Sequence, residues 1–392
     1  MLTNLDDYPI HQFAEPMRSV GTSDRNFYDR YYFMGFEHGG SAMFIAGLGV
    51  YPNLGVIDGF VAVMVDGHFQ VVRASQELEL SDRLNPSVGP ISVDVVEALK
   101  TLRVRCEPNE WGIEFDCTFT GAHEPFEEPR HSVREQGRVI FDTTRLAQTG
   151  TWSGALTAPD RNGTLRTFDV NDTSWWGTRD RSWGVRPIGE SEPQGIRAKK
   201  PFSWFWIYTP VKFDDHTLLV MMQEHQDGSR VLEEAVRMWP AETGKPHEFF
   251  SRPRHQMQFE PGTRFSTGAR IQMDRTDDDG AVIETLDVLV EPIIPVHIGI
   301  GTGYGYDADW RHGMWQGAEP VVQGFQLDTQ TPEGKARLFG IVDNGAKFTY
   351  HDSLGSHTGY GLYENMIIGP HDQYGFTDML DGYSGVDTEV SS

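Results

Sequence analysis

Basic residues are scarce in this chain. Its 392 residues carry 33 Lys plus Arg against 57 Asp plus Glu, a formal net charge of −24. The average surface therefore repels a phosphate backbone or an anionic bilayer face, which removes nucleic acid from the expected partners. Cysteine is scarcer still. Cys106 and Cys117 flank a predicted hairpin and could face each other across it, yet two cysteines in so long a chain make no disulfide framework. No run of about 18 apolar residues occurs. The N-terminal MLTNLDDYPIHQF has acids where a signal peptide needs basic residues followed by an apolar core. A cytoplasmic protein without a membrane span is expected.

Familiar cofactor and catalytic spacings are also missing. There is no GxGxxG before a helix and no GxxxxGK[ST], so neither a dinucleotide nor a nucleotide phosphate cradle is expected. No GxSxG elbow supports serine-hydrolase chemistry. The fourteen histidines show no HxxxH, HExxH or HxH spacing, so no metal site and no cofactor are expected. Helical periodicity is scarce too, its best examples being short pieces near 24–33 and 92–100.

What the chain does have is hairpins. Asp66-Gly67, Asp227-Gly228, Asp279-Gly280 and Asn344-Gly345 each sit between β-rich runs, and LKTLRVRCEPNEWGIEFDCTFTG (99–121) reads as a further hairpin turning at Pro108-Asn109. The class is all-β and antiparallel. Closing such hairpins into up-and-down barrels removes exposed sheet edges. One barrel of eight to ten strands uses roughly half this length, so two are expected.

Three segments carry unusual chemistry. In FSWFWIYT (202–209), Phe202, Trp204, Trp206 and Tyr208 share one face at period two, and the other face is apolar as well, so the strand should be covered on both sides. GIGTGYGYDADWRHGMWQGAEP (299–320) holds six glycines with Tyr304, Tyr306, Asp307, Asp309, Trp310, Arg311, His312 and Trp315, a mixture suited to no strand or core helix. WWGTRDRSWGVRP (175–187) packs Trp175, Trp176 and Trp183 beside Arg179, Asp180, Arg181 and Arg186. Trp is costly to leave in water and isolated charges are costly to bury, so this mixture suits the lining of a site.

Gly177-Thr-Arg-Asp-Arg-Ser-Trp-Gly-Val-Arg186 resembles the G-x-R-D-[HR]-S-W-G-x-R signature of the AttH-like and carotenoid 1,2-hydratase-like (hydroxyneurosporene synthase-like) family. Residues 307–317, 39–75 and 126–131 are similar to further segments of it. The resemblance covers about residues 30–330. It implies two lipocalin-like antiparallel β-barrel domains packed together, assigned here to 1–188 and 189–380 with a disordered tail at 381–392, and an apolar cavity between or within them. It also implies cofactor-free addition of water to an alkene, using a D-H-x-W segment. Here Trp183 matches the tryptophan, but Arg181 stands in the histidine's place and cannot shuttle protons near neutrality. The proton donor is then sought among Asp180, Asp309, Glu224 and His312, with Arg181 holding an anion. The rings expected to bind substrate are Trp176, Trp183, Trp204, Trp206, Tyr306, Trp310 and Trp315.

The expected function is a cofactor-independent lyase or isomerase, hydratase- or dehydratase-like and extending to C–C bond cleavage. It would act by proton transfer on a hydrophobic aromatic or terpenoid small molecule, as a monomer or homodimer. The rival is a carrier of lipophilic ligands, which needs the rings but no positioned acid.

Overall fold

The computed structural model describes residues 3–79, 83–84, 86–135, 137–192, 203–305 and 307–384. Among them the chain forms two large antiparallel sheets, one of 14 strands and one of nine. Each curls until its ends nearly meet, and the two pack face to face. The first sheet takes its strands from Phe27–Glu37 to Trp175–Val185, the second from Trp204–Lys212 to Gly355–Ile368. One strand crosses over: Val321–Asp328, which follows the glycine-rich segment, pairs with His68–Glu77 at the edge of the first sheet.

Local chemistry explains the turns. Asp66 and Gly67 both adopt positive φ (51° and 72°), the conformation a two-residue hairpin needs, and Val56–Val65 pairs in register with His68–Glu77 across it. The turns at Asp227-Gly228 and Asp279-Gly280 also lie between paired strands. Asn344-Gly345 does not. Val342–Asp352 is one continuous strand whose hairpin turn comes ten residues later, between Asp352 and Gly355. Gly345 is needed for close approach instead: a Cβ there would lie 2.5 Å from the ring of Phe36 on the facing sheet. Asn344 is absorbed by a hydrogen bond to the Tyr363 carbonyl. The helical pieces expected at 24–33 and 92–100 are strands as well, since Phe27–Glu37 pairs on both sides and Ile91–Glu97 pairs with Thr101–Cys106.

Ala42–Tyr51 and Val56–Val65 are buried at every position. Their inner face fills the first barrel and their outer face meets the second sheet, so both faces are apolar. The inner core holds Phe33, Phe44, Phe115, Phe119, Trp152 and Trp175, and the second barrel is filled by Phe205, Ile207, Met222, Met273, Phe348 and Tyr363. The expected chamber is therefore not inside either barrel, because large rings occupy both interiors. A third core lies between the sheets, where Tyr32, Met34, Phe36 and Phe60 meet Trp206, Tyr208, Met221 and Met366.

Cys106 lies opposite Phe115 and Cys117 opposite Val104, an offset of two residues along the ladder. Both are buried free thiols, pushed up to about 12 by burial. In the expected tail, Asp381 is held by Arg264, and Tyr383 donates its amide to the Thr263 carbonyl at 2.8 Å. Residues 385–392, and Phe202 of the aromatic strand, lie outside the described residues.

Candidate functional site

The site follows from period two. Asp180 sits opposite Tyr32 on one neighbouring strand and Ala147 on the other, so it projects from the first sheet toward the second. The second sheet answers with a row of cross-strand neighbours: Trp206 and Tyr208, then Glu364 opposite Tyr208, then Asp343 opposite Glu364. Arg145 and Glu128 complete the set from the first sheet.

Its hydrogen bonds divide the carboxyls into two kinds. Glu128 is satisfied, since Tyr208 Oη donates to its Oε1 at 2.8 Å and Arg145 Nε donates to its Oε2. The Arg145 guanidinium lies over the rings of Tyr208 and Trp206, at 4.9 and 5.4 Å from their centroids. Glu364 receives Trp206 Nε1 at 2.6 Å, and Asp343 receives Tyr32 Oη at 2.5 Å. Asp180, Glu364 and Asp343 form no salt bridge among the described residues, although the charges of Arg145, Arg30 and Arg186 reach Asp180. Burial pushes Asp180 up to about 6 against the pull of Arg145, with Glu128 adding to the rise. Burial likewise lifts Glu364 to about 7, and Asp343 well above the usual carboxylate range with Glu364 as its next cause. Yet Asp180, Arg145 and Glu364 remain partly exposed, whereas Asp343 is fully buried. Asp180 and Glu364 thus hold their protons more tightly than free carboxyls while remaining partly exposed.

Two buried polar atoms at one end of this interface, Arg30 Nη1 and His312 Nε2, have no hydrogen-bond partner among the described residues. Unpaired polar atoms are costly when buried, and these two mark where a polar ligand atom would be rewarded. Trp204 packs on Phe141 (5.4 Å between centroids) and His131 (5.9 Å), and burial lowers His131 to about 4.

The glycine-rich segment closes one end of this band. Arg30 donates to Tyr304 Oη at 2.8 Å, and the Tyr304 ring stands edge-on to the His312 imidazole at 4.8 Å. His312 Nδ1 lies 3.5 Å from Asp58, whose other oxygen accepts the Gly313 amide at 2.6 Å. Burial keeps His312 neutral, down to about 4. The Arg30 charge acts on both Asp180 and His312.

The other expected residues scatter. Alternation turns Arg181 and Trp183 to the opposite side of their strand from Asp180. Arg181 pairs with Asp29 over the Tyr31 ring, and Trp183 is 38% exposed. Glu224 is buried inside the second barrel, between His255 and His371. Asp309 and Trp315 are exposed, Trp310 lies under Arg73 (4.6 Å), and Trp176 lies under Lys212 (3.6 Å) beside Tyr360. Tyr306 lies outside the described residues. Sequence reasoning missed Glu128, Arg145, Asp343 and Glu364. Glu364 had a signal, being the one acid on the Leu362–Glu364–Met366 face of an apolar strand.

Two depressions among the described residues lie elsewhere. One is an open groove of about 580 Å³ beside Phe13, Arg18 and Pro52; the other holds about 40 Å³ beside His123 and His216. The described residues gather one set of three metal-ligating side chains, Asp215, His216 and His357, outside the interface.

A model of a family of unknown function, DUF8625, matches residues 2–377. No curated protein matches the chain in sequence. Among solved structures, an AttH candidate from Nitrosomonas europaea is similar at TM-score 0.50 and 12% identity, over 92% of this chain and 98% of its own. Kievitone hydratase from Nectria haematococca is matched at TM-score 0.44 and 11% identity, over 94% and 96%. The AttH likeness shows the two-barrel fold.

Proposed function

The chain belongs to the DUF8625 family, whose function is unknown, and from its site we propose a cofactor-independent lyase or isomerase of the hydratase and dehydratase type. It acts by proton transfer on a hydrophobic aromatic or terpenoid small molecule admitted between the two sheets. One observation carries this reading: a partly exposed Asp180, lifted to about 6, beside a Glu364 lifted to about 7 and among indole and phenol rings. A carboxyl whose pKa is raised to within about a unit of neutrality is suited to give and take protons.

In the hydration direction Asp180 gives its proton to an alkene carbon, so a C–H bond forms as the π bond breaks. The adjacent carbon becomes cationic, facing the carboxylate just created. Water adds to that carbon and its surplus proton returns to the carboxyl set, giving a net gain of one water. Reversal is dehydration, and loss of a different proton from the cation moves the double bond. The Arg145 charge is offset by Glu128 and so competes weakly with the cation.

The test runs in D2O with a panel of phenolic and isoprenoid alkenes and tertiary alcohols, read by mass spectrometry. The wild type is expected to place deuterium on carbon, and Asp180→Asn to bind the same compound without doing so. Binding without exchange by the wild type identifies a carrier instead, and absence of binding removes both readings.

A further inference from the structure

Two hairpins meet at one end of the second sheet. The first links Trp204–Lys212 to Thr217–Glu224 and carries Asp215 and His216; the second links Val342–Asp352 to Gly355–Ile368, whose third residue is His357. Because Trp204–Lys212 and Gly355–Ile368 are paired strands, the two hairpins are side by side. Donor atoms of Asp215, His216 and His357 all lie within 4.8 Å of one another. We propose that these three residues bind a divalent transition-metal ion, Zn²⁺ by donor type, which clasps the two hairpins together. The proposal is independent of the chemistry assigned to Asp180.

Three features support it. Two imidazoles and a carboxylate are a recurrent donor set for zinc, with the remaining positions left to water. Each imidazole is also oriented from outside the set: His357 Nε2 lies 2.9 Å from Asp352 Oδ1, and His216 Nε2 lies 2.6 Å from Tyr350 Oη. Such outer partners set the tautomer and ring direction of metal-bound histidines. The rings are held further by stacking, His216 on Phe213 (4.5 Å) and His357 on Tyr350 (4.6 Å).

The local charge favours a cation as well. Arg237 is the nearby positive group, and it is already matched by Asp352 (2.7 Å) and Glu248 (2.5 Å), leaving the Asp215 carboxylate in excess. Lys212, with its ammonium over the Trp176 ring, has Asp214 as its own acidic neighbour. Asp215 Oδ1 and His216 Nδ1 are now 2.6 Å apart, and ligands on one tetrahedral ion stand about 3.3 Å apart. The Asp215 side chain, 64% exposed, is free to make that adjustment.

Untagged full-length protein, stripped with a chelator and titrated with ZnCl2 in a calorimeter, is expected to take up one ion per chain. Asp215→Asn and His357→Ala should each weaken uptake at least tenfold, while His11→Ala, at a distant surface histidine, leaves it unchanged. Cobalt substituted for zinc should give the visible absorption of a four-coordinate N/O site, weakened in the same two variants. Because Asp215 is exposed, its variant keeps the fold, which circular dichroism checks. Substoichiometric uptake, or stoichiometric uptake that survives both substitutions, overturns the proposal.

Discussion

Two acids of this protein live in opposite circumstances. Glu224, inside the second barrel, has both oxygens matched: His255 Nε2 at 2.8 Å and Arg230 on one, His371 Nε2 at 2.8 Å on the other. Phe205 stacks against both imidazoles, which burial keeps neutral, His255 pushed down to about 3 and His371 to about 4. Between the sheets, Asp180 is partly exposed, accepts no such hydrogen bonds among the described residues, and its charge helps to lift Glu364 and Asp343. The comparison teaches that burial alone does not make a reactive carboxyl. A satisfied one holds the barrel together, whereas one placed among its own kind retains a proton that it can give away.

Substitutions separate the two. Asp180→Asn is expected to lower deuterium transfer to carbon by about 10²–10⁴-fold, the usual worth of a positioned general acid. Its thermal midpoint above pH 7 should stay the same or rise, because a carboxylate that is costly to bury has been removed. Glu224→Ala should do the reverse, costing roughly 3–5 kcal/mol in chemical denaturation by leaving Arg230 and two imidazole donors without their acceptor. If both variants behave alike, the distinction between the two acids is lost.

Close packing between the sheets supplies a smaller effect. Gly345→Ala should cost about 1–3 kcal/mol in the same denaturation assay by forcing Phe36 aside. A mere turn glycine would respond through its φ, yet Gly345 is not among the glycines of positive φ.

Proton linkage gives the gentlest signal. Asp180 and Glu364 hold protons more tightly in the folded chain than in the unfolded one, so the unfolded state releases them first as pH rises. Their contribution to stability therefore falls between about pH 4 and pH 7 and then levels off. The salt-bridged Asp274 and Asp352, held down to about 2, work oppositely and only below about pH 4. Buried histidines held near 4, such as His131, His297 and His312, make stability rise with pH over the same range, so the acid is read as a difference: the wild-type midpoint minus that of Asp180→Asn should fall from pH 5 to pH 7, and a constant difference counts against a proton-holding Asp180.

Period-two patterning made much of this legible in advance. The Trp206 and Tyr208 face was readable because Phe205 and Ile207 alternate with it, and Asp180 because Arg, Trp and Gly crowd around it. Asp343 was hidden by its neighbours, since Asn344-Gly345 carries turn chemistry and only Phe36, some 300 residues earlier, explains the glycine. Arg181 and Trp183 stood out by motif but point away from Asp180, since neighbours in a strand alternate sides.

What the chain determined by itself was local: which runs are strands, where most hairpins turn, and which strands need cover on both faces, because these follow from side-chain alternation and backbone preference. Which acids share a crevice, which acid is neutralised, and which histidines meet an aspartate at a hairpin end were decided by tertiary structure. Electrostatics depends on distances through space, and residues 128, 145, 180, 343 and 364 become neighbours when two sheets close on each other.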